Sequence, residues 1–306
     1  MPGPNVTFLS YNSTGMNTIK SRWIRDLSVV TDASFIQIQE HFKTTQNTDK
    51  FFADQFPDYN GFIIPGCRDK YQDRGRAKGG LAQLSKTRLD VKKNRVQCSN
   101  FRIQAQTLHF PAITILWLNS YFPTDPQLIN HDETDLETLL NDLENIMDST
   151  QFDEVILGGD LNWDKSRNTG FASCIQRWVS RIGLQDVWDT FPVEYTHVHT
   201  DLKSLSTLDR FLVSPSLLPH ISDAGAINFS GGDNPSRHSP IMMRISMDSL
   251  PVHKVTPRSS PHRPAWYKAC EADINCYTFE LNEKLARIHY PCQLDCLDPH
   301  CCIASG

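Results

Sequence analysis

The sequence predicts a mixed α/β fold for roughly the first 248 of its 306 residues. Short segments rich in aliphatic and β-branched residues, typical of strands, alternate with longer segments whose apolar residues recur at helical spacing. The composition, 39% apolar and 21% charged, is that of an ordinary globular protein that can bury a substantial core.

The first elements predicted are a strand, a helix and a second strand. Residues 6–11 alternate apolar and polar side chains and run into a turn-forming cluster that begins at Asn12. A helix is predicted over 19–30 and a strand over 34–39, with Glu40 at the end of that strand. The buried face of the helix is predicted to consist of Ile19, Trp23, Leu27 and Val30.

The alternation continues as far as residue 245. Helices are predicted over 132–149, behind an N-capping Asp132, and over 172–182. Strands are predicted over 80–84, 101–108, 112–120, 154–157, 207–213 and 239–245. Asp160, Asp209 and His238 therefore fall in loops at strand ends, where a ligand can reach them.

The composition changes near Asp248 and divides the chain into a main domain over 1–248, a linker over 249–265 and a tail over 266–306. Four prolines within fourteen residues indicate the linker. The tail predicts a helix over 266–288, followed by a group of cysteines around His300. Their spacing matches no common C-x₂-C pair, so a zinc site is the less favoured interpretation.

Charge is distributed unevenly, although the formal net charge is −5. Residues 68–95 contain ten basic and three acidic side chains, a net charge of +7. Residues 125–160 contain eleven acidic side chains and no Lys or Arg. The basic segment is a candidate for contact with phosphate groups, whereas the acidic one is expected to be solvated surface.

The sequence also indicates a location inside the cell. No apolar run is long enough to span a bilayer, and the first residues lack the charged and apolar regions of a secretory signal. The number of cysteines, nine, is odd, and three of them fall in the main domain, so we expect reduced thiols there. No membrane partner is expected.

Several polar residues at predicted strand ends have the chemistry of a phosphodiesterase site. Glu40 and Asp160 offer hard oxygen ligands for Mg²⁺, and Asn162 projects from the same glycine-containing loop as Asp160. Asp209 and His238 form a candidate carboxylate–imidazole pair. Taken singly, each has a plainer interpretation, since most strand-end acids and histidines are surface or structural residues.

The order of these motifs resembles the exonuclease-endonuclease-phosphatase superfamily, in particular the apurinic-type endonucleases of non-LTR retrotransposons. The resemblance covers about residues 5–246. It is carried by the Asn12 loop, Gln39-Glu40, Lys78-Gly79-Gly80-Leu81-Ala82, Asn119-Ser120-Tyr121-Phe122-Pro123, Gly159-Asp160-Leu161-Asn162, Tyr195-Thr196, Ser206 through Asp209, and Ser236 through Pro240.

The resemblance implies a four-layer α/β/β/α sandwich of two mostly antiparallel sheets. It also implies a monomeric enzyme that uses Mg²⁺, or Mn²⁺ in its place, to nick one strand of DNA. For DNA cleavage we expect a location in the nucleus, with the cytoplasm as the alternative. The 3′-hydroxyl left by the cut could prime reverse transcription. The linker and tail resemble the segment that joins such endonucleases to a reverse transcriptase, which is a further expected partner.

The resemblance also implies roles for individual residues. Glu40, Asn12 and Asp160 would hold the metal. Asp160 would activate the attacking water, with Asn162 orienting both groups, and His238, oriented by Asp209, would act on the phosphate oxygens. Tyr121 and Asn12 would complete the phosphate pocket. The residues expected to contact DNA are Thr196, Ser206, Arg237 and Lys78.

Arg237 departs from the family pattern, which usually has an aspartate immediately before the histidine. A nearby positive charge disfavours the imidazolium form, so the site is either weakened or uses Arg237 to bind a DNA phosphate through its planar guanidinium. Asp233 is a candidate replacement for the missing carboxylate.

Two other functions stay open. One is a phosphatase or sphingomyelinase of the same superfamily acting on a lipid or inositol phosphate, although the motifs around Tyr121 and Asp209 favour a nuclease. The other is a catalytically weakened DNA-binding remnant, because Arg237 alters the site.

Overall fold

The computed structural model describes residues 5–44, 47–67, 77–125, 134–200, 203–228, 234–250 and 271–285. The chain divides into two compact units, Met1–Thr256 and Pro257–Gly306. Several predictions fall outside the described residues: the basic residues at 68–76, the N-cap at Asp132, Asp233, most of the linker, and the cysteines beyond position 290. The domain boundaries stay predictions.

The secondary structure alternates as the sequence predicts, with additional short elements. The α-helices are α1 Thr18–Val30, α2 Thr48–Gln55, α3 Thr134–Ser149, α4 Gly170–Ile182 and, in the second unit, α5 Glu271–Leu285. The strands are β1 Asn5–Asn12, β2 Phe35–Gln39, β3 Tyr59–Ile64, β4 Leu81–Lys86, β5 Lys92–Val96, β6 Ile103–His109, β7 Thr114–Tyr121, β8 Glu154–Asp160, β9 Gln185–Asp186, β10 His197–Val198, β11 Leu205–Ser206, β12 Asp209–Val213, β13 Ile221–Ala226 and β14 Ile241–Ser246.

The larger unit contains two six-stranded sheets and a short two-stranded ribbon, β10–β11. The first sheet has the order β13-β14-β1-β2-β4-β3, and the second has the order β5-β6-β7-β8-β12-β9. Each sheet has one parallel pair, β1 with β2 and β7 with β8, among otherwise antiparallel neighbours. Both sheets are therefore mixed and mostly antiparallel.

Three groups of buried side chains define the layers of this unit. One lies between the sheets and includes Phe8, Trp117 and Phe211. A second joins the first sheet to α1 and α2, and a third joins the second sheet to α3 and α4. Each helix packs its apolar stripe on one sheet, and the predicted four-layer α/β/β/α sandwich is confirmed.

The predicted buried face of α1 is wrong at its two ends. Ile19 and Val30 are 74% and 84% exposed, respectively, whereas Ile24 and Leu27 are buried. Two serines complete the buried face, and their hydroxyls donate to backbone carbonyls one turn earlier in the helix. A serine satisfied in this way can face a core, and it gives no apolar signal in the sequence.

Side-chain amides fill part of the space between the two sheets. From the first sheet, Gln37 Nε2 donates to the carbonyl of Leu118 at 2.6 Å, and Gln39 Nε2 donates to Asn119 Oδ1 at 2.8 Å. Gln83 Nε2 donates to the carbonyl of Trp117 at 3.0 Å. The two sheets are thus joined by directional bonds as well as by apolar contact.

The described cysteines of the larger unit, Cys67, Cys98 and Cys174, carry free thiols. Among the helices that the structure describes, none combines the length and the apolar character needed to cross a bilayer.

Candidate functional site

The register of the strands brings the predicted site residues to one edge of the sandwich. Asn12 ends β1 and is the neighbour of Gln39 in the parallel pair β1–β2, so Glu40 lies beside it. In the second sheet, Asp160 ends β8 and pairs with Tyr121 on one side and Asp209 on the other. Residues from both sheets therefore share one edge. The distances between these site residues consequently depend on how the two sheets pack on each other.

Asn12 joins the two candidate metal-binding carboxylates. Its Nδ2 donates to Glu40 Oε2 at 3.0 Å and to Asp160 Oδ2 at 2.8 Å. Its Oδ1 accepts the backbone N–H of Thr14 at 2.9 Å. Asn12 thus presents its nitrogen to the site and its oxygen to the chain, a placement that does not fit the predicted role of direct metal ligand.

The backbone at two site residues lies in the left-handed region. Glu40 has φ +51° and Asn162 has φ +46°. This region is uncommon for residues other than glycine, and such conformations cluster at functional sites, where surrounding contacts hold them. The Asn162 backbone N–H donates to Asp160 Oδ1 at 3.0 Å, and its side-chain amide donates to the carbonyl of Phe122 at 2.9 Å. Both bonds fix the loop that follows β8.

Gly159 allows the chain to reach the position of Asp160. It has φ +143°, and a Cβ atom there would lie 1.9 Å from the carbonyl oxygen of Ser120 on the adjacent strand β7. No side chain fits at that distance, so only glycine leaves β7 and β8 close enough to place Tyr121 beside Asp160.

His238 and Asp209 form a buried ion pair. His238 Nδ1 lies 2.9 Å from Asp209 Oδ2, and its Nε2 lies 3.9 Å from Asp160 Oδ2. Burial alone would lower the pKa of His238, but the carboxylates of Asp209 and Asp160 raise it to about 9. The imidazole is therefore protonated at neutral pH, and its positive charge lies close to both carboxylates.

The other ionisable groups of the pocket are shifted as well. Burial raises the pKa of Asp160 to about 7, although His238 opposes the shift. Burial, together with the charges of Glu40 and Asp160, raises the pKa of Tyr121 above its usual range. Tyr121 is thus a neutral phenol close to the carboxylate of Glu40. Strongly shifted groups concentrated in one pocket are typical of catalytic sites.

The oxygen atoms of the pocket fit a hard divalent cation. Glu40 and Asp160 each accept from the same amide nitrogen, so their oxygens face a common space. Oδ1 of Asp209 is buried and has no protein partner among the described residues. Ligand atoms of Asp160, Asp209 and His238 lie within 4.8 Å of one another. Because Asp209 occupies Nδ1 of His238, the carboxylate oxygens are the better match for Mg²⁺.

Thr196 does not have the placement predicted for a DNA contact. It is fully buried, and its Oγ1 accepts the backbone N–H groups of Leu208 and Asp209, both at 2.9 Å. A phosphate cannot reach a hydroxyl enclosed in this way, so Thr196 positions the start of β12 instead. Ser206 is also buried, with its Oγ 3.1 Å from Nε2 of His199.

Arg237 and Lys78 are both exposed. The carbonyl of Arg237 accepts the backbone N–H of Val198, and Lys78 exchanges two backbone hydrogen bonds with Cys67. Their backbones are therefore fixed while their charged ends face solvent, a placement that leaves both available to an anionic partner.

Sequence reasoning missed several residues that support His238. Asn234 accepts hydrogen bonds from the Tyr11 hydroxyl at 3.1 Å and the Ser236 backbone at 3.0 Å, and it donates to the His238 carbonyl at 2.7 Å. The ring of His197 lies 4.5 Å from that of His238, centroid to centroid. An Asn two residues before a Ser is a turn signal, but no sequence pattern predicts the histidine contact.

Comparison with known proteins rests on structure, because the sequence matches no protein family profile and no curated protein. The AP endonuclease LMAP from Leishmania major superimposes with a TM-score of 0.63 at 15% identity, over 80% of this chain and 89% of that one. The endonuclease domain of TRAS1, a telomere-specific non-LTR retrotransposon, gives a TM-score of 0.58 at 16% identity, over 79% and 98%.

An AP endonuclease from Archaeoglobus fulgidus is similar to the same extent, with a TM-score of 0.59 and 16% identity over 78% of this chain and 99% of that one. At these identities, similarity of structure establishes the fold. The fold that the resemblance implies is confirmed: the chain has the same fold as these endonuclease structures.

Proposed function

We propose that the larger unit is a Mg²⁺-dependent endonuclease that nicks one strand of DNA and leaves a 3′-hydroxyl. The observation that carries the proposal is the meeting of Glu40, Asn12 and Asp160 with the His238–Asp209 pair at one edge of the two sheets. Similar structures are named as AP endonucleases and as the endonuclease domain of a retrotransposon, which supports the same class of activity.

Glu40 and Asp160 would hold the metal, and Asn12 would fix the separation of their oxygens. Bound Mg²⁺ would neutralise charge on the scissile phosphate and favour attack by water. Tyr121, kept protonated, would donate a hydrogen bond to Glu40 and so help to orient it. Asn12 and Tyr121 thus complete the phosphate pocket by orienting its carboxylates.

Asp160 and His238 would carry the proton chemistry. The buried carboxylate of Asp160 would act as the general base that takes a proton from the attacking water. The protonated His238, held in place by Asp209, would donate from Nε2 to a phosphate oxygen and stabilise its developing charge. Asn162 would keep Asp160 oriented through its backbone N–H.

The exposed charges of Arg237 and Lys78 would bind the phosphates of the DNA backbone. Arg237 lies next to His238 in the chain, so it can contact the strand near the cut without entering the carboxylate pocket. We further propose that the protein acts as a monomer in the nucleus. A reverse transcriptase that extends the 3′-hydroxyl is the proposed partner.

Supercoiled plasmid provides the decisive substrate, because a closed circle offers no end to an exonuclease or a 3′-phosphatase. We expect Mg²⁺-dependent conversion to the relaxed circle, no conversion in EDTA, and extension of the nick by a DNA polymerase without phosphatase treatment. Asp160→Asn and Glu40→Gln are expected to abolish detectable nicking.

Matched controls are available on the surface. Asp26→Asn and Glu137→Gln remove equivalent exposed charges from α1 and α3 and are expected to nick at the rate of the unaltered protein. DNA binding without metal-dependent nicking would contradict the proposal and favour the binding remnant. Hydrolysis of phosphoinositides with no action on plasmid would assign the site to a lipid phosphatase.

A further inference from the structure

Phe101 is an aromatic residue held outward on a braced turn. Its side chain lies in the turn between β5 and β6 and is 50% exposed. Asn100 fixes this turn, since its Oδ1 accepts the backbone N–H of Arg102 at 3.0 Å and its Nδ2 donates to Asp142 at 2.8 Å. An exposed aromatic ring on a fixed backbone loses little conformational freedom when it contacts a partner.

Arg102 connects Phe101 to the candidate active site. Its guanidinium carbon lies 5.3 Å from the ring centroid of Phe101 and 5.2 Å from that of Tyr121. Its carbonyl accepts the backbone N–H of Tyr121 at 3.0 Å, and Tyr121 is the cross-strand neighbour of Asp160. A chain of contacts therefore leads from the exposed ring of Phe101, through the guanidinium of Arg102 and the ring of Tyr121, to the carboxylate pocket.

The surroundings of Phe101 combine positive charge with the backbone of a glycine. Gly79, with φ +67°, passes beside the ring: a Cβ atom on Gly79 would be 3.8 Å from Cδ2 of Phe101, an ordinary contact distance. The preceding residue is the exposed Lys78. Asp135 lies 3.9 Å from Arg102 and offsets part of its charge.

We infer that Phe101 is a stacking platform for an unpaired nucleobase in the DNA strand that enters the active site. This inference rests on the proposed function and extends it to the kind of DNA preferred. Every base has a flat π-face that can stack on an aromatic ring, and the cations of Arg102 and Lys78 suit the flanking phosphates. A base is available for stacking where the duplex is bulged, mismatched or easily unstacked, so cutting should favour such sites.

Binding can be measured without cutting in an Asp160→Asn background. The probes are a short DNA duplex with a single bulged 2-aminopurine and the same duplex fully paired. The measured quantity is the ratio of the two affinities, together with the quenching of 2-aminopurine fluorescence. Phe101→Ala is expected to lower the ratio by about fivefold to a hundredfold and to abolish quenching. Phe101→Tyr and Phe101→Trp, which keep a flat ring, should retain both.

Val30→Ala is the matched control, since Val30 is 84% exposed at the C-terminal end of α1, remote from the strand ends that form the site. An unchanged affinity ratio in the Phe101→Ala variant, while the protein with Asp160 intact nicks plasmid, would overturn this inference alone. If the unaltered protein neither bound the two duplexes nor nicked plasmid, both the proposed function and this inference would be overturned. Dimerisation that Phe101→Ala abolishes would assign the ring to contact between protein chains and would also overturn it.

Discussion

Asp160 and Asp209 are direct cross-strand partners on β8 and β12, and both side chains are buried. Like charges placed opposite each other on a sheet repel. His238 contacts both, with Nδ1 2.9 Å from Asp209 and Nε2 3.9 Å from Asp160. The protonated imidazole therefore compensates two carboxylates, which accounts for a raised pKa in a buried histidine.

Asp209→Asn is expected to lower the pKa of His238 from about 9, because the charge of Asp209 makes the largest contribution that raises it. The folded-state pKa lies above the ordinary value of 6.5, so the ion pair stabilises the protein fully below pH 6.5. That stabilisation is lost as the pH rises through about 9. In the Asp209→Asn variant, this loss of stability at alkaline pH should disappear.

Imidazole NMR titration measures the pKa, and urea denaturation between pH 6 and 10 measures the stability. Asp26→Asn, on the exposed face of α1, is the control. An unaltered His238 titration in Asp209→Asn would show that the pair does not set the charge of the ring.

Gly159→Ala is expected to destabilise the protein by about 2–5 kcal/mol, because the new Cβ atom would overlap the carbonyl of Ser120 and the backbone would have to move. Nicking should fall as well, since the same strand carries Asp160. Gly170→Ala is the control: it lies in α4 with nothing within 4 Å of its Cβ position, and a small gain in stability is expected. Equal melting temperatures for the two variants would contradict the close approach of β7 and β8.

His41 is expected to make the fold sensitive to acid. Burial lowers its pKa from 6.5 to about 4, since the ring is enclosed and its Nδ1 accepts the backbone N–H of Lys43. A lowered folded-state pKa means that stability is complete above pH 6.5 and falls as the pH drops toward 4. The loss should reach about 3 kcal/mol.

Denaturation measured across that range in His41→Asn should show a shallower loss, because Asn Oδ1 can accept the same N–H without taking up a proton. His109→Asn, at a half-buried position, is the control. Equal slopes in the His41→Asn variant and the unaltered protein would assign the acid sensitivity to other groups.

Arg237→Gln is expected to weaken DNA binding at low salt and to reduce the slope of log affinity against log salt by about 1, as for the loss of one phosphate contact. Nicking at saturating DNA should change little, because the exposed guanidinium lies outside the carboxylate pocket. If Arg237→Gln left the salt slope intact, Arg237 would not be a phosphate contact. If Arg237→Asp left nicking rate and Mg²⁺ dependence unchanged, the idea of a site impaired by Arg237 would be dropped.

Elements whose apolar residues recur at one regular spacing could be predicted from the sequence. The leucine stripe of α3 is buried as expected, and the polar residues that follow β1 and β2 lie at the site edge. The ends of strands were harder to predict. Strand β8 continues to Asp160, beyond the apolar residues, because Asp160 still pairs with Tyr121 and Asp209 on the neighbouring strands.

Elements whose apolar residues show no regular spacing were not predicted from the sequence. The strand β5 has the sequence KKNRV and lies at the edge of its sheet, where both faces can carry polar side chains. The ribbon β10–β11 has two residues in each strand, too few for any alternation to be recognised. The contacts of His197 and Asn234 with His238 depend on how separate loops meet, which no local pattern encodes.

The amides between the sheets set how the two halves of the pocket are aligned. Glu40 and Asn12 are carried by one sheet, Asp160 and Asp209 by the other, and Gln39 is bonded to Asn119 directly beneath them. Apolar contacts between two sheets change little when one sheet shifts slightly over the other. A hydrogen bond between two side-chain amides forms only at one relative position of the sheets. Metal affinity should therefore respond to changes made deep in the sandwich, at side chains that neither the cation nor the DNA ever touches.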